Sequence, residues 1–391
     1  MTPKDFFYHP TLCPIPWNGV YIEPDGRVNT CAVAQESLGN IKDTPIQDIL
    51  TGKVNRSIKL HQINKQKPKN CHYCYRVDDL SQDVSTSQSN RSWYKKMCAE
   101  SVHTGLFDSV DNFKLEILDL RWRNTCNLAC SYCSPNLSSR WAQEMQSYPL
   151  MPADDQIEQT KAWIYDQLSN IKHVYLAGGE PLLIKDNLDL LERVQQVNPG
   201  IDLRVNTNLI NIDTPVYRKI LEFPKVKWTV SVENIKDKFY YTRYPGDWAK
   251  FESNLDQLIS TGADVNFNMT WSLLGAPDIL DCIQYFLDRG FHENMFVVNV
   301  LDDPFYLDVR NLSNEFLDGM RNRIQQLMSS TNPSYWLHKS LGAMYNFSKQ
   351  SFSKKDPARS LLFFSGLDMR RNLDFSKTFS DTYLDLINQT T

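Results

Sequence analysis

Three cysteines stand within eight residues in Cys126-Asn127-Leu128-Ala129-Cys130-Ser131-Tyr132-Cys133. Thiolates are ligands for soft metals and for iron–sulfur clusters. A cubane cluster with four irons normally takes four thiolates, so a loop that supplies three leaves one iron open to a bidentate small molecule. A structural zinc site closes on four protein ligands, which this loop alone does not provide. The chemistry within reach is therefore that of an open iron–sulfur site.

A second constellation follows some fifty residues later, in Ala177-Gly178-Gly179-Glu180-Pro181. Paired glycines let backbone approach a ligand closely, and a carboxylate beside them can accept hydrogen bonds from an ammonium group. Further polar groups fall at the ends of apolar runs: Asn206-Thr207-Asn208, Ser231-Val232-Glu233, and Arg243 in Tyr241-Thr242-Arg243-Tyr244-Pro245. The planar fork of an arginine suits a carboxylate. Asn268 and Asn299 rank below these. A third group lies near the start, where Cys13 is followed by twelve residues and Gly26, then four residues and Cys31, with Cys71-His72-Tyr73-Cys74 beyond. Four cysteines make a complete tetrathiolate set, which fits either an iron–sulfur cluster or a tetrahedral zinc. His72 then reads as a surface or packing residue. Cys98 and Cys282 stand apart and read as plain thiols.

These groups need a scaffold that gathers strand ends. From about 113 to 309, short apolar runs alternate with longer amphipathic ones, the pattern of strand–helix units around a parallel sheet. The strands are expected at Leu115–Arg121, Val174–Ala177, Leu203–Asn206, Trp228–Val232, Val265–Thr270 and Phe296–Leu301, and the helices at Ala153–Ser169, Asn187–Val197, Val216–Phe223, Trp248–Ser260 and Pro277–Arg289. Six units are too few for a closed eight-stranded barrel and predict an α/β fold of the open, partial (β/α)6 TIM type. In such a fold ligands bind at the C-terminal ends of the strands. Both the cysteine loop and the glycine turn directly follow expected strands.

The spacing of Cys126, Cys130 and Cys133, with the aromatic Tyr132 before the last, resembles the signature of the radical S-adenosylmethionine (SAM) superfamily. That resemblance covers about 113 to 309. It implies a [4Fe–4S] cluster whose open iron binds SAM, reductive cleavage of the sulfonium, and a 5′-deoxyadenosyl radical that abstracts a substrate hydrogen. The three cysteines are then the catalytic cluster ligands. The resemblance also places Tyr132 near the adenine, gives Gly178, Gly179, Glu180 and Pro181 to the methionine amino group, and makes Asn206, Ser231, Glu233 and Arg243 candidates for the carboxylate or ribose. The segment with Cys13, Cys31, Cys71 and Cys74 resembles SPASM and twitch modules, which bind an auxiliary [4Fe–4S] cluster. Here the module precedes the barrel instead of following it, and it has cysteines for one auxiliary cluster, with zinc as the alternative.

Composition sets the outer bounds. With 391 residues and 41% hydrophobic composition, the chain is long enough for two or three domains. A net charge of −4 argues against a dedicated nucleic-acid surface. No apolar run approaches a membrane span, and the start Met1-Thr2-Pro3-Lys4-Asp5 has no basic region followed by an apolar stretch. A cytoplasmic location is expected, consistent with an odd count of nine cysteines, seven of them in local clusters that suit metal ligation better than disulfides. The expected domains are 1–80 for the cysteine module, 81–112 for a linker and helix that open with the serine-rich stretch from Ser81 to Asn90, 113–310 for the partial barrel, and 311–391 for a helical region containing Asp368, Arg370 and Arg371. The resemblance implies an electron donor such as a flavodoxin or ferredoxin. It also implies a substrate, a peptide or protein first and a nucleotide, nucleoside or sugar-type small molecule second. A non-catalytic cluster- or zinc-binding interaction protein is the remaining alternative, and the intact Gly-Gly-Glu run counts against it.

Overall fold

The computed structural model describes residues 2–79 and 89–391. Most of the serine-rich stretch, residues 81–88, lies outside the described residues. Its end, Ser89, caps the helix Asn90–Met97 by accepting from the Ser92 amide. The chain divides into two compact units. One comprises Met1–Thr125, Pro149–Val205 and Thr214–Val226; the other comprises Cys126–Tyr148, Asn206–Asp213 and Lys227–Thr391.

In the first unit, β1 (Gly19–Ile22), β2 (Arg27–Asn29) and β3 (Gly39–Asn40) form an antiparallel meander. The turn between β1 and β2 uses Gly26 at φ +84°, a conformation open to glycine without a side-chain clash. Next come β4 (Ile117–Leu120), β5 (His173–Leu176) and β6 (Asp202–Thr207). β1 pairs in parallel with β4, β4 with β5, and the β5 register continues into β6. Leu118, Leu120, Val174, Leu176, Leu203 and Val205 are all at most 1% exposed, which makes one face of this sheet continuous apolar core. The crossover helix Lys185–Val197 buries Leu190, Leu191 and Val194, the i, i+1, i+4 stripe expected of a helix packed on one side.

The second unit carries β7 (Val226–Ser231), β8 (Asp264–Trp271) and β9 (Phe296–Val300), all parallel, and the last residues of β6. Phe267 on β8 stacks on Phe286 and Phe296 with ring centroids 4.4 and 5.2 Å apart. Beyond Val309 the chain is helical, with Asn314–Ser329, Trp336–Ser348, Pro357–Arg371 and Ser380–Asn388 as the longer helices. Phe364 and Phe375 stack at 4.1 Å in their core.

The fold is thus α/β, with six strand–helix repeats of the partial-barrel type, a small cysteine-rich module and a helical C-terminal region. All six expected strands are present, their ends displaced by two residues or fewer. The expected helix Ala153–Ser169 ends at Tyr165 and resumes as a 3-10 turn at Leu168–Asn170. Val216–Phe223 shortens to Pro215–Ile220. What periodicity did not reveal is β1. At four residues it is too short to show a pattern, yet it extends the parallel sheet at the edge of β4.

Candidate active site

The cysteine loop leaves the end of β4 and carries no regular structure before the helix Ser139–Met145. It is pinned from both ends. Leu128 and Ala129 are buried to 1% and 0% exposure, so the residues between the cysteines anchor the loop. Ser138 caps the helix by accepting from the Trp141 amide and donates its hydroxyl to the Leu128 carbonyl at 2.6 Å. The Cys126 amide donates to Ser139 Oγ at 3.1 Å, and the Trp141 indole donates to the Cys130 carbonyl at 2.7 Å. On the other side the Ala129 and Ser131 amides donate to the Tyr244 and Thr242 carbonyls at 2.7 and 2.8 Å.

The surroundings disfavour bare thiolates. Burial raises the Cys130 thiol, with Arg243 opposing, and pushes Cys133 up to about 12, with the neighbouring Cys130 adding to the shift. Metal coordination supplies the positive charge that deprotonates such thiols. Three sulfur donors on one rigid loop fit a cluster with one open coordination position.

Behind the loop lies a buried polar network. Arg243 Nε and Nη2 form a bidentate pair with Glu233 at 2.7 and 2.5 Å, and both residues are at most 4% exposed. The Tyr132 hydroxyl donates to Glu233 Oε1 at 2.9 Å, and the Thr270 amide to the same oxygen at 3.3 Å. Arg243 Nη1 points toward Cys130 Sγ at 3.9 Å. Burial pushes the Tyr132 hydroxyl well above its ordinary range. The fork expected to face a ligand carboxylate is therefore closed on Glu233. Ser231 Oγ donates to Asn206 Oδ1 at 3.3 Å, and Asn208 Nδ2 sits 4.0 Å from Cys126 Sγ. Asn268 Oδ1 accepts from Asn299 Nδ2 at 2.6 Å.

The glycine turn belongs to the first unit. Gly178 has φ +82°, and a Cβ there would lie 2.5 Å from Arg121 Cβ. A Cβ on Gly179 would lie 2.2 Å from the Thr125 carbonyl oxygen. The turn thus packs directly on the backbone of the residue preceding Cys126. The Glu180 amide donates to the same carbonyl at 2.7 Å, its carboxylate accepts from the Leu182 amide, and Pro181 opens a 3-10 turn.

Cys13, Cys31, Cys71 and Cys74 line one cavity of the first unit. Cys71 and Cys74 lie one turn apart at the start of the helix His72–Asp79. The Cys13 amide donates to Gln62 Oε1 at 2.8 Å, and Gln62 Nε2 reaches Cys71 Sγ at 3.7 Å. Burial, with the other thiols of the set adding, pushes Cys31 and Cys71 up to about 12. Among the described residues, no three or more His, Cys, Asp or Glu side chains converge tightly enough for a single ion. His72 is exposed, whereas Cys98 and Cys282 are buried.

Sequence reasoning missed Ser138, Ser139 and Trp141, which hold the loop, and Asn208, named only as part of a strand end. It also gave no role near the loop to Arg371. That side chain stacks on Trp141 and Tyr244 at 4.7 and 4.9 Å and shares Glu144 with Arg370. Asp368 accepts from the Tyr241 hydroxyl at 2.8 Å. No local pattern signals the Arg371 and Asp368 contacts, since each depends on residues distant in sequence.

Residues 120–302 match the family described as the radical SAM superfamily, and residues 13–75 match the SPASM iron–sulfur cluster-binding domain. Among curated relatives, the GTP 3′,8-cyclases of Sulfurimonas denitrificans and Sulfurovum are 23% and 22% identical over 190 and 219 residues. Those alignments cover 47% and 54% of this chain and 56% and 60% of the relatives. The Streptomyces coelicolor enzyme of the same name is 31% identical over 105 residues, covering 26% of this chain and 29% of that one. The chain thus spans a little over half the length of the first two. Among solved structures, anSMEcpe with bound AdoMet aligns at TM-score 0.41 and 18% identity, covering 54% of this chain and 61% of that one. Streptococcus suis SuiB bound to precursor peptide SuiA aligns at TM-score 0.40 and 13% identity, covering 70% and 60%.

Proposed function

We propose that this chain, whose residues 120–302 match the radical SAM superfamily and whose residues 13–75 match the SPASM iron–sulfur cluster-binding domain, is a radical SAM enzyme acting on a peptide or protein substrate. The observation that carries the radical reading is the three-thiol loop at the end of β4. Its cofactors are a [4Fe–4S] cluster with SAM and an auxiliary iron–sulfur cluster. The chemistry a loaded site supplies is reductive cleavage of SAM and hydrogen abstraction from substrate by the resulting 5′-deoxyadenosyl radical.

The chain's own residues divide the remaining work. Cys126, Cys130 and Cys133 hold the catalytic cluster, and Cys13, Cys31, Cys71 and Cys74 hold the auxiliary one. Gly178, Gly179, Glu180 and Pro181 form the turn offered to the methionine amino group, while Asn206 and Ser231 offer polar groups to the carboxylate or ribose. Glu233 and Arg243 act by positioning: with both carboxylate oxygens engaged, Glu233 orients Tyr132 and holds the guanidinium against Cys130. A flavodoxin- or ferredoxin-type donor delivers electrons, in the cytoplasm. Among the described residues, no helix is long and apolar enough to cross a membrane.

A second substrate reading, a nucleotide, draws on one observation: the curated relatives named above are GTP 3′,8-cyclases. The test has two parts. SAM and a reductant should release 5′-deoxyadenosine, and Cys130→Ala should abolish it; a variant that still cleaves SAM overturns the loop assignment. Short peptides encoded beside the gene, incubated with the enzyme, should change in mass. No change with any of them, together with turnover of a nucleotide, decides for the second reading.

A further inference from the structure

A row of polar side chains crosses four parallel strands of the first unit. The register pairs Tyr21 with Asp119, Asp119 with Tyr175, and Tyr175 with Arg204. Residues in register on parallel strands share a face, and residues two apart on one strand do as well. Arg121, two beyond Asp119, continues the row toward the strand end. The intervening positions Val20, Leu118, Val174 and Leu203 are at most 2% exposed and form the apolar core. The face opposite that core carries a carboxylate, two guanidiniums and two phenols.

These groups do not satisfy one another. Asp119 Oδ1, Arg121 Nε and Arg204 Nε are all buried without a hydrogen-bond partner. Asp119 Oδ1 and Arg121 Nε lie 3.6 Å apart, in charge contact but too far for an N–H···O bond. Asp119 is 8% exposed, and burial pushes its carboxyl up to about 6 against the pull of Arg121. Each guanidinium lies over an aromatic ring, Arg121 over Tyr21 at 4.6 Å and Arg204 over Trp93 at 5.0 Å, and Arg204 Nη2 also donates to Asp202 Oδ2 at 3.3 Å. The ring attracts the cation electrostatically and leaves the Nε of each guanidinium, which has no hydrogen-bond partner, for a ligand. Buried polar atoms are ordinarily paired, so three orphans in one row mark a place prepared for a partner.

We propose that this row is a substrate-binding site for an anionic group, with a carboxylate or phosphate oxygen on Arg121 and Arg204 and an N–H or O–H of the same ligand donating to Asp119. The inference rests on the enzyme reading above only in taking that ligand to be the substrate. A peptide supplies the chemistry through an acidic side chain or its terminus, and a nucleotide supplies it through its phosphates.

Calorimetry on the reconstituted full-length protein tests the site with two pairs of probes. One pair is GTP and guanosine; the other is a short aspartate-rich peptide and its asparagine counterpart with an amidated terminus. One anionic probe should bind at least about tenfold tighter than its neutral partner, and Arg121→Gln and Arg204→Gln should each weaken it about tenfold, the scale of one charge-assisted hydrogen bond. Binding of GTP identifies the phosphate as the anion, and binding of the peptide identifies the carboxylate. If neither anionic probe binds, if neither outcompetes its neutral partner, or if both variants bind as wild type, the inference falls. Arg204 is the more exposed of the two, with 27% of its side chain accessible, so Arg204→Gln carries the test should Arg121→Gln fail to fold. Release of 5′-deoxyadenosine scores the cysteine loop separately, so failure of either reading is recognisable by itself.

Discussion

Glu233 receives hydrogen bonds from the Tyr132 hydroxyl, the Arg243 fork and the Thr270 amide, which makes it the residue whose loss leaves most unsatisfied. Glu233→Ala strands a buried guanidinium. Breaking one side of a buried pair costs roughly 3–5 kcal/mol, so the urea midpoint should fall accordingly. Arg243→Lys should fall between that variant and wild type, because lysine keeps the charge and loses the bidentate geometry. Asp119 adds a pH signature. Its carboxyl titrates near 6 in the fold against an ordinary 3.8, so the folded state binds the extra proton between those values. Stability from this group is present below about 3.8 and lost as pH rises through about 6, a change of about 2–3 kcal/mol. Subtracting the pH–stability curve of Asp119→Asn from that of wild type should recover that slope in this window. A flat difference would show that burial does not bias the carboxyl. The identities of Glu233 and Arg243 were readable as candidate site residues. Their engagement with each other was not, because a helix turn and a strand end ten residues apart can meet or diverge depending on tertiary packing.

At the scale of elements, the glycine turn after β5 shows why two glycines stand together. Gly179→Ala places a methyl 2.2 Å from the Thr125 carbonyl oxygen, and backbone cannot move aside as a flexible side chain can. The variant should lose about 1–3 kcal/mol through overpacking, read from its chemical denaturation curve. It should also displace the segment leading into Cys126 and so lower 5′-deoxyadenosine release. Gly178→Ala adds backbone strain, because φ +82° is unfavourable for a residue with a side chain. The motif was legible because two adjacent glycines after an apolar run have few other uses. The short β1 was not legible, because four residues of Gly-Val-Tyr-Ile fit a turn or loop as readily as an added strand.

For the whole molecule, the two thiol sets predict a metal inventory. Anaerobic reconstitution should give about eight irons per chain, four per cubane, and the double variant Cys71→Ser, Cys74→Ser should retain about four and still release 5′-deoxyadenosine. Zinc together with about four irons in wild type would overturn the auxiliary cluster and leave the radical reading intact. The cysteine module is also tied into its unit by its backbone. Register pairing of Gly19–Ile22 with Ile117–Leu120 and a shared core of Phe6, Trp17, Phe107 and Ile117 join them. Deleting residues 1–79 would uncover the edge of β4, so the truncated chain should be recovered mainly as aggregate, checked by the soluble fraction on expression.

The chemistry and the fold class were written locally in this chain. A three-cysteine loop, a Gly-Gly-Glu-Pro turn and six apolar runs spaced by amphipathic ones are patterns of near neighbours, and spacing along the backbone determines them. Tertiary structure decided which strand the N-terminal module joins, which carboxylate closes on Arg243, and which side chains share a face with Asp119. Each of those outcomes is set by register and packing between segments tens of residues apart. A shift of one residue in register would turn Asp119 and Tyr175 into the apolar core, and no spacing within a single strand records that choice.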